Sequence, residues 1–300
     1  MELCEVNLDH ISDIPFGDEF IERFQVLRQV GKGFSGILLE AIERDTGRRV
    51  AIKYFSGRGL EKVEFVQRFE SEAKILSSLS HPNILEIYGY GFDEMTPYLV
   101  EELLDGMTLA QVIKNRGPIP VGVTLSISSQ IADALAHAHE RNIVHRDIKP
   151  GNVFLSKSCL ATLIDFGLAR NLTDGNRITG AGRIVGTIYY MAPEQVVGEQ
   201  ASKATDVYAL GLVIFTMLTG RLPFSSDKST MLQEKVHGHA QSLADAELIE
   251  KCPTRLIKLV DRMLRKPPLK RPGNIRDAAD LLTTLCNEYG VPQSSWKIFD

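Results

Sequence analysis

From Phe24 to about Phe55 the chain alternates between strand-like runs and turn signals. FQVLRQV leads into the glycines of GKGFSG (31–36), GILLEAI follows with partial alternation, RDTG supplies a turn, and RRVAIKYF returns as a third strand. The period then changes. Phe65, Phe69, Ala73 and Leu76 recur at three- and four-residue spacing, which predicts a helix from about Leu60 to Leu79. His81-Pro82 ends it, because proline disfavours helix at the residue before it. Short strands in ILEIYGYGF and PYLVEEL complete a β-rich first third. Beyond Asp105-Gly106 the pattern is mostly helical, clearest at 123–141, roughly 207–219 and 254–265, with a last helix near 277–289. Strands on one side of residue 105 and helices on the other predict two lobes with a cleft between them.

Composition adds exclusions. With 300 residues, 44% hydrophobic and 24% charged, the chain is an ordinary globular protein with enough length for a well-buried core. A net charge of −4 gives no basic footprint for nucleic acid or for an anionic membrane. The longest apolar run, VYALGLVIFTML (207–218), is too short to span a bilayer and reads as a buried helix. The acidic N-terminus lacks the regions of a signal peptide, so a cytoplasmic protein with no membrane segment is expected. Cys4, Cys159, Cys252 and Cys286 lie far apart and read as free thiols. His137 and His139 stand two apart on a predicted helix and point to different faces, which argues against a metal pair.

The candidate chemistry begins at Gly31, Gly33 and Gly36. A dinucleotide fold needs such glycines between a strand and a helix, but here a second strand follows. A lysine-bearing phosphate loop fails too, since no Gly-Lys-Ser/Thr ends the hexapeptide. A strand–glycine-loop–strand hairpin can act as a lid over a phosphate chain, although the loop alone does not exclude a hairpin with no ligand. Lys53 in VAIK gains meaning only if an acid reaches it, and Glu72 on the following helix is the candidate.

HRDIKPGNV (145–153) then combines Asp147, Lys149 and Asn152, IDFGLAR brings Asp165, and GTIYYMAPEQ (186–195) follows. In this order the set resembles the protein kinase family, specifically the eukaryotic-like serine/threonine kinases, many of them bacterial. The resemblance covers about residues 24–285. It implies an α+β, bilobal protein-kinase-like fold, with a β-rich small lobe (24–104) and a helical large lobe (105–285). Residues 1–23 would form an N-terminal segment and 286–300 a C-terminal tail.

The implied activity is ATP-dependent transfer of phosphate to serine or threonine hydroxyls of protein substrates. The loop from Gly31 to Gly36 would cover the phosphates of ATP, and Lys53, held by Glu72, would neutralise two of them. Asn152 and Asp165 would hold Mg2+, Asp147 would orient the substrate hydroxyl and accept its proton, and Lys149 would steady the transferring phosphate. Adenine would sit among Val30, Leu38, Ala51 and Leu155, edged by the backbone of Glu102 and Leu104. Glu101 falls at the back of that pocket, where the family usually has an apolar or hydroxyl side chain. A buried carboxylate there calls for a partner or a proton. Glu194 resembles the acid that pairs with a C-terminal arginine, here Arg271, and Asp206 resembles the acid that bonds the catalytic-loop backbone. Arg68, Arg146 and Arg170 would receive a phosphate on the activation segment, on Thr179 in preference to Thr173, placed there by autophosphorylation in trans within a dimer. A catalytically dead relative would lack the lysine or one of the acids, and none is missing here. A small-molecule kinase would generally lack the APE segment and the lysine at 149.

Overall fold

The computed structural model of the chain describes residues 16–33, 36–55, 63–166, 188–246, 252–290 and 296. They divide into two units, one holding the described residues up to Ser80 with Leu85–Leu104, the other holding His81–Ile84 and the described residues from Asp105 on.

The first unit is an antiparallel sheet with a helix on each face. The helices are α1 (Asp18–Arg23) and α2 (Val63–Ser77), and the strands are β1 (Phe24–Gly33), β2 (Gly36–Glu43), β3 (Arg48–Phe55), β4 (Ile87–Asp93) and β5 (Thr96–Glu102), in the order β1-β2-β3-β5-β4. Residues directly opposed across a ladder share a face. Leu39, Ala41, Val50, Ile52, Tyr54, Tyr98 and Val100 therefore form one apolar face, which buries against Phe20 and Phe24. Phe20 stacks on Phe16 at 4.8 Å and meets Tyr54 and Tyr98 edge-on at 5.6 and 5.2 Å. Asp93 ties the helix entry to this face, accepting from the Gly17 amide at 2.9 Å and the Tyr54 hydroxyl at 2.7 Å. Burial, and then the Asp93 carboxylate, push the Tyr54 phenol well up, so it stays a donor. Phe16–Arg23 thus packs as part of the sheet unit, whereas the sequence pattern sets residues 1–23 apart.

On the opposite face, α2 presents Phe69, Ala73 and Leu76 inward, as their spacing predicts, and Phe69 lies edge-on to Phe55, Tyr90 and Phe92. Gly36 opens β2 at a φ of 145°, where a Cβ would run into the Tyr54 carbonyl. Only glycine allows the hairpin to close this tightly against β3.

The second unit packs α3 (Leu109–Arg116), α4 (Val121–Glu140), α5 (Pro193–Val196), α6 (Lys203–Thr219), α7 (Lys228–His237), α8 (Thr254–Met263) and α9 (Ile275–Glu288). It also contains a small antiparallel sheet, β6 (Gly106–Thr108), β7 (Val153–Ser156) and β8 (Ala161–Leu163). α6 is apolar on nearly every side and buried from Thr205 to Thr219, with α4 and α8 against it. It starts before the predicted apolar run because Ser202 and Thr205 pair at its N-terminus, and it stops at Gly220 with φ 72°. α9 runs to Glu288, and the buried Trp296 packs back onto the unit, its amide on Cys159 Sγ at 3.0 Å and its indole N–H on Ser126 Oγ at 3.3 Å. Part of the expected tail is therefore built into the second unit. Cys159, Cys252 and Cys286 are free thiols, and Cys4 lies outside the described residues.

Candidate active site

The register of the first unit sorts its candidate residues. Leu38 pairs with Lys53, and Lys53 with Leu99; in the next row Glu40 pairs with Ala51, and Ala51 with Glu101. All six share the face that carries α2. Lys53, partly exposed, lies on β3 in the row nearer the glycine hairpin, and Glu72 is half-buried on α2. Gly31 pairs with Leu38 and Gly33 with Gly36, which brings the glycines beside that row, while Val30 stands exposed on β1. Glu101 is 6% exposed and has an interaction partner, so it is a buried carboxylate opposite Ala51. Burial first and Glu86 second raise the Glu102 carboxyl, and the Glu102 amide is engaged by Glu86 O at 2.9 Å. Leu104, partly buried, follows the end of β5. Arg68 is exposed on α2, one turn before Glu72.

In the second unit the segment between α4 and β7 carries Asp147, Lys149 and Asn152. The Asp147 carboxylate accepts from Lys149 Nζ at 2.6 Å and from Asn152 Nδ2 at 3.1 Å, and Asn152 Nδ2 also reaches the Asp147 carbonyl at 2.8 Å. Asp206, 1% exposed on α6, accepts the backbone N–H groups of His145 and Arg146, each at 2.8 Å, and His139 Nε2 at 2.8 Å. Such charge-assisted bonds hold Arg146 at a φ of 68°, which a side-chain-bearing residue seldom adopts. His145 accepts the Asp147 amide on Nδ1 at 3.3 Å and donates from Nε2 to Ile164 O at 3.2 Å. Complete burial holds its imidazole well below the usual range, against the pull of Asp206 and Asp147, so it braces the loop in the neutral form.

The β7–β8 hairpin brings the remaining pair together. Asn152 immediately precedes β7 and Asp165 follows β8, and the Ile164 amide bonds Asn152 O at 3.0 Å. Asp165 itself has a φ of 59°. Leu155 lies fully buried in β7 between Met107 and Ala161. Glu194 and Arg271 form a bidentate ion pair at 2.7 and 2.8 Å, and Gln195 Nε2 donates to Arg146 O at 3.2 Å. The second unit thus gathers Asp147, Lys149, Asn152 and Asp165 within one loop and hairpin. Arg170, Thr173 and Thr179 lie outside the described residues. His139, His145 and Gln195 were not assigned these roles from the sequence. Only the exact tertiary partners, Asp206 and the catalytic-loop backbone, give them meaning.

Residues 24–284 match the family described as the protein kinase domain. The chain belongs to that family. It is 36% identical over 268 residues to the serine/threonine-protein kinase PrkC of Bacillus subtilis, covering 89% of this chain and 41% of that protein. It is 37% identical over 210 residues to the serine/threonine-protein kinase PknA of Mycobacterium tuberculosis, covering 68% of this chain and 48% of that one. The chain therefore spans less than half the length of either relative. A crystal structure of Rad53 residues 1–466 in complex with AMP-PNP resembles it with a TM-score of 0.71 and 28% identity, over 87% of this chain and 65% of that one. The fold is the α+β protein-kinase-like fold, with its sheet unit first and its helical unit second. Among the described residues no helix is long and apolar enough to cross a membrane.

Proposed function

We propose that this chain is a protein kinase that transfers the γ-phosphate of ATP to serine and threonine hydroxyls of protein substrates. The observation that carries the reading is the Asp147 cluster. A carboxylate on a backbone pinned by Asp206 has Lys149 at 2.6 Å and Asn152 at 3.1 Å. Phosphoryl transfer needs little covalent help and much positioning, and such a cluster supplies positioning. Asp147 orients the incoming hydroxyl and takes its proton, while Lys149 spans from that carboxylate to the phosphate in transit. Lys53, set by Glu72, meets the α- and β-phosphates beneath the hairpin of Gly31, Gly33 and Gly36. Val30, Leu38, Ala51 and Leu155 flank the adenine, and the backbone of Glu102 and Leu104 reads its edge.

The donor set fits Mg2+. Asp165 offers carboxylate oxygens, and Asn152, whose Nδ2 is spent on Asp147, has its amide oxygen left for a hard cation. When bound, the ion neutralises phosphate charge. The relatives' names and the AMP-PNP held by the Rad53 structure support the assignment of nucleotide and reaction. We place the enzyme in the cytoplasm. Autophosphorylation at Thr179, in trans between two copies, would give Arg68, Arg146 and Arg170 a phosphate to bind.

Incubation with radiolabelled ATP, Mg2+ and myelin basic protein tests this reading. Label should enter the protein, and release of inorganic phosphate alone would refute it. Glu101 offers a second check. With a Met in its place, the wall opposite Ala51 becomes apolar and loses a negative charge. Glu101→Met should change the affinity for adenine-site inhibitors by about tenfold, equivalent to about 1.4 kcal/mol, as read by calorimetry. Unchanged affinity would remove Glu101 from the pocket.

A further inference from the structure

Lys235 on α7 is 2% exposed, and among the described residues it forms no ion pair. Its Nζ instead donates to two backbone carbonyls, Tyr189 O at 2.8 Å and Met191 O at 2.7 Å. The Phe224 and Tyr208 rings lie 5.4 and 6.0 Å from the same nitrogen. A buried amine without a counter-charge is costly, and burial pushes Lys235 down to about 7. The neutral amine keeps two N–H donors, matching the two carbonyls, so the contact persists in either protonation state.

The segment held in this way consists of a single 3-10 turn, Ile188–Tyr190, followed by Met191 and α5. Ile188 and Met191 bury against Met231 of α7, so an apolar contact and the lysine bind the segment to the same helix. Its other end is tied to the acid loop. Gln195 accepts the Ala192 amide at 3.1 Å and donates to Arg146 O at 3.2 Å, one residue before Asp147. A chain of contacts therefore runs from α7 through Tyr189 and Met191 to the backbone that aims Asp147.

We propose that Lys235 is a positioning residue for the protein substrate, fixing the 188–195 segment against which a polypeptide lies when it presents its hydroxyl to Asp147. The inference rests on the kinase reading, and it concerns acceptor binding alone. ATP is handled by other residues. Lys235→Met removes both hydrogen bonds and keeps most of the volume, leaving two buried carbonyls without their donor. Lys235→Gln keeps two N–H donors on a shorter side chain and serves if the first variant does not fold.

The test combines steady-state kinetics on myelin basic protein with hydrogen–deuterium exchange. Wild-type transfer decides the kinase reading first; the mutant-to-wild-type comparison then decides the role of Lys235. In Lys235→Met, KM for the protein should rise about tenfold, as expected for losing two net hydrogen bonds of ordinary strength. KM for ATP should stay within about twofold, since other residues handle the nucleotide. Amides of 188–196 should exchange faster while those of α4 and α6 do not, and Lys235→Gln should fall between the two. An unchanged KM for the protein would overturn the proposal. So would KM values for protein and ATP that rise together with faster exchange throughout the second unit, which would mark Lys235 as a general stabiliser. Exchange at 188–196 is measured without catalysis, so its outcome stands apart from the kinase reading.

Discussion

Asp147→Asn should lower kcat for phosphate transfer by roughly 10²–10⁴-fold, the usual worth of a positioned base, while nucleotide affinity stays close to wild type. The substitution preserves shape. The Asn152 bond to the Asp147 carbonyl involves backbone and survives, as do the Asp206 bonds to His145 and Arg146. The carboxylate that takes the proton is lost, together with the charge that Lys149 meets at 2.6 Å. Single-turnover kinetics with a pre-bound nucleotide separate the two effects. Wild-type-like turnover would remove Asp147 from the chemistry, whereas weakened nucleotide binding with normal transfer would give it a structural role.

The largest effect on stability should come from Arg271→Ala. Arg271 is 1% exposed, binds both oxygens of Glu194, and also bonds the carbonyls of Ala204, Arg265 and Lys266. Removing it leaves the Glu194 carboxylate buried and three carbonyls short of a donor, so a loss of about 3–5 kcal/mol is expected in urea unfolding at pH 7. The pH dependence has a definite sign. Burial pushes Glu194 up, but the Arg271 hydrogen bonds and charge outweigh it, and the carboxyl ends below its ordinary 4.5. A lowered folded value gives stability that is fully present above the unfolded value and is lost as pH falls through the folded one. The gap between wild type and Arg271→Ala should therefore be widest at neutral pH and narrow below about 4.5, because there Glu194 carries a proton in the unfolded chain. A gap that stays constant down to pH 3 would show that the carbonyl contacts of Arg271, and not its ion pair, dominate.

Much of this arrangement was legible in the sequence because the patterns were local. The five strands of the first unit, the inward face of α2 and the buried α6 follow from period and apolar content. The Asp147, Lys149 and Asn152 cluster lies within one short loop, so chain spacing nearly dictates its geometry. The register that sets Ala51 opposite Glu101 was not legible, since α2 and β4 separate β3 from β5 along the chain. Other features depend on what lies across the fold. α1 has only six residues, and in isolation so short a helix is not stable. Phe16 and Phe20, stacked on each other, hold it by meeting Tyr54 and Tyr98 edge-on, and their four-residue spacing was the one available signal. α7 is largely polar, and nothing local distinguishes the buried Lys235 from the exposed Lys228 at its start. Burial of that amine depends on Tyr189 and Met191, more than forty residues away. His139 likewise takes its role only from Asp206, 67 residues away in the chain.

Phosphoamino-acid analysis of myelin basic protein labelled by the wild-type chain with radiolabelled ATP and Mg2+ tests the central claim most directly. The serine/threonine kinases to which the chain is similar lead to phosphoserine and phosphothreonine. Label found predominantly on tyrosine, or absent from the protein altogether, would contradict the account.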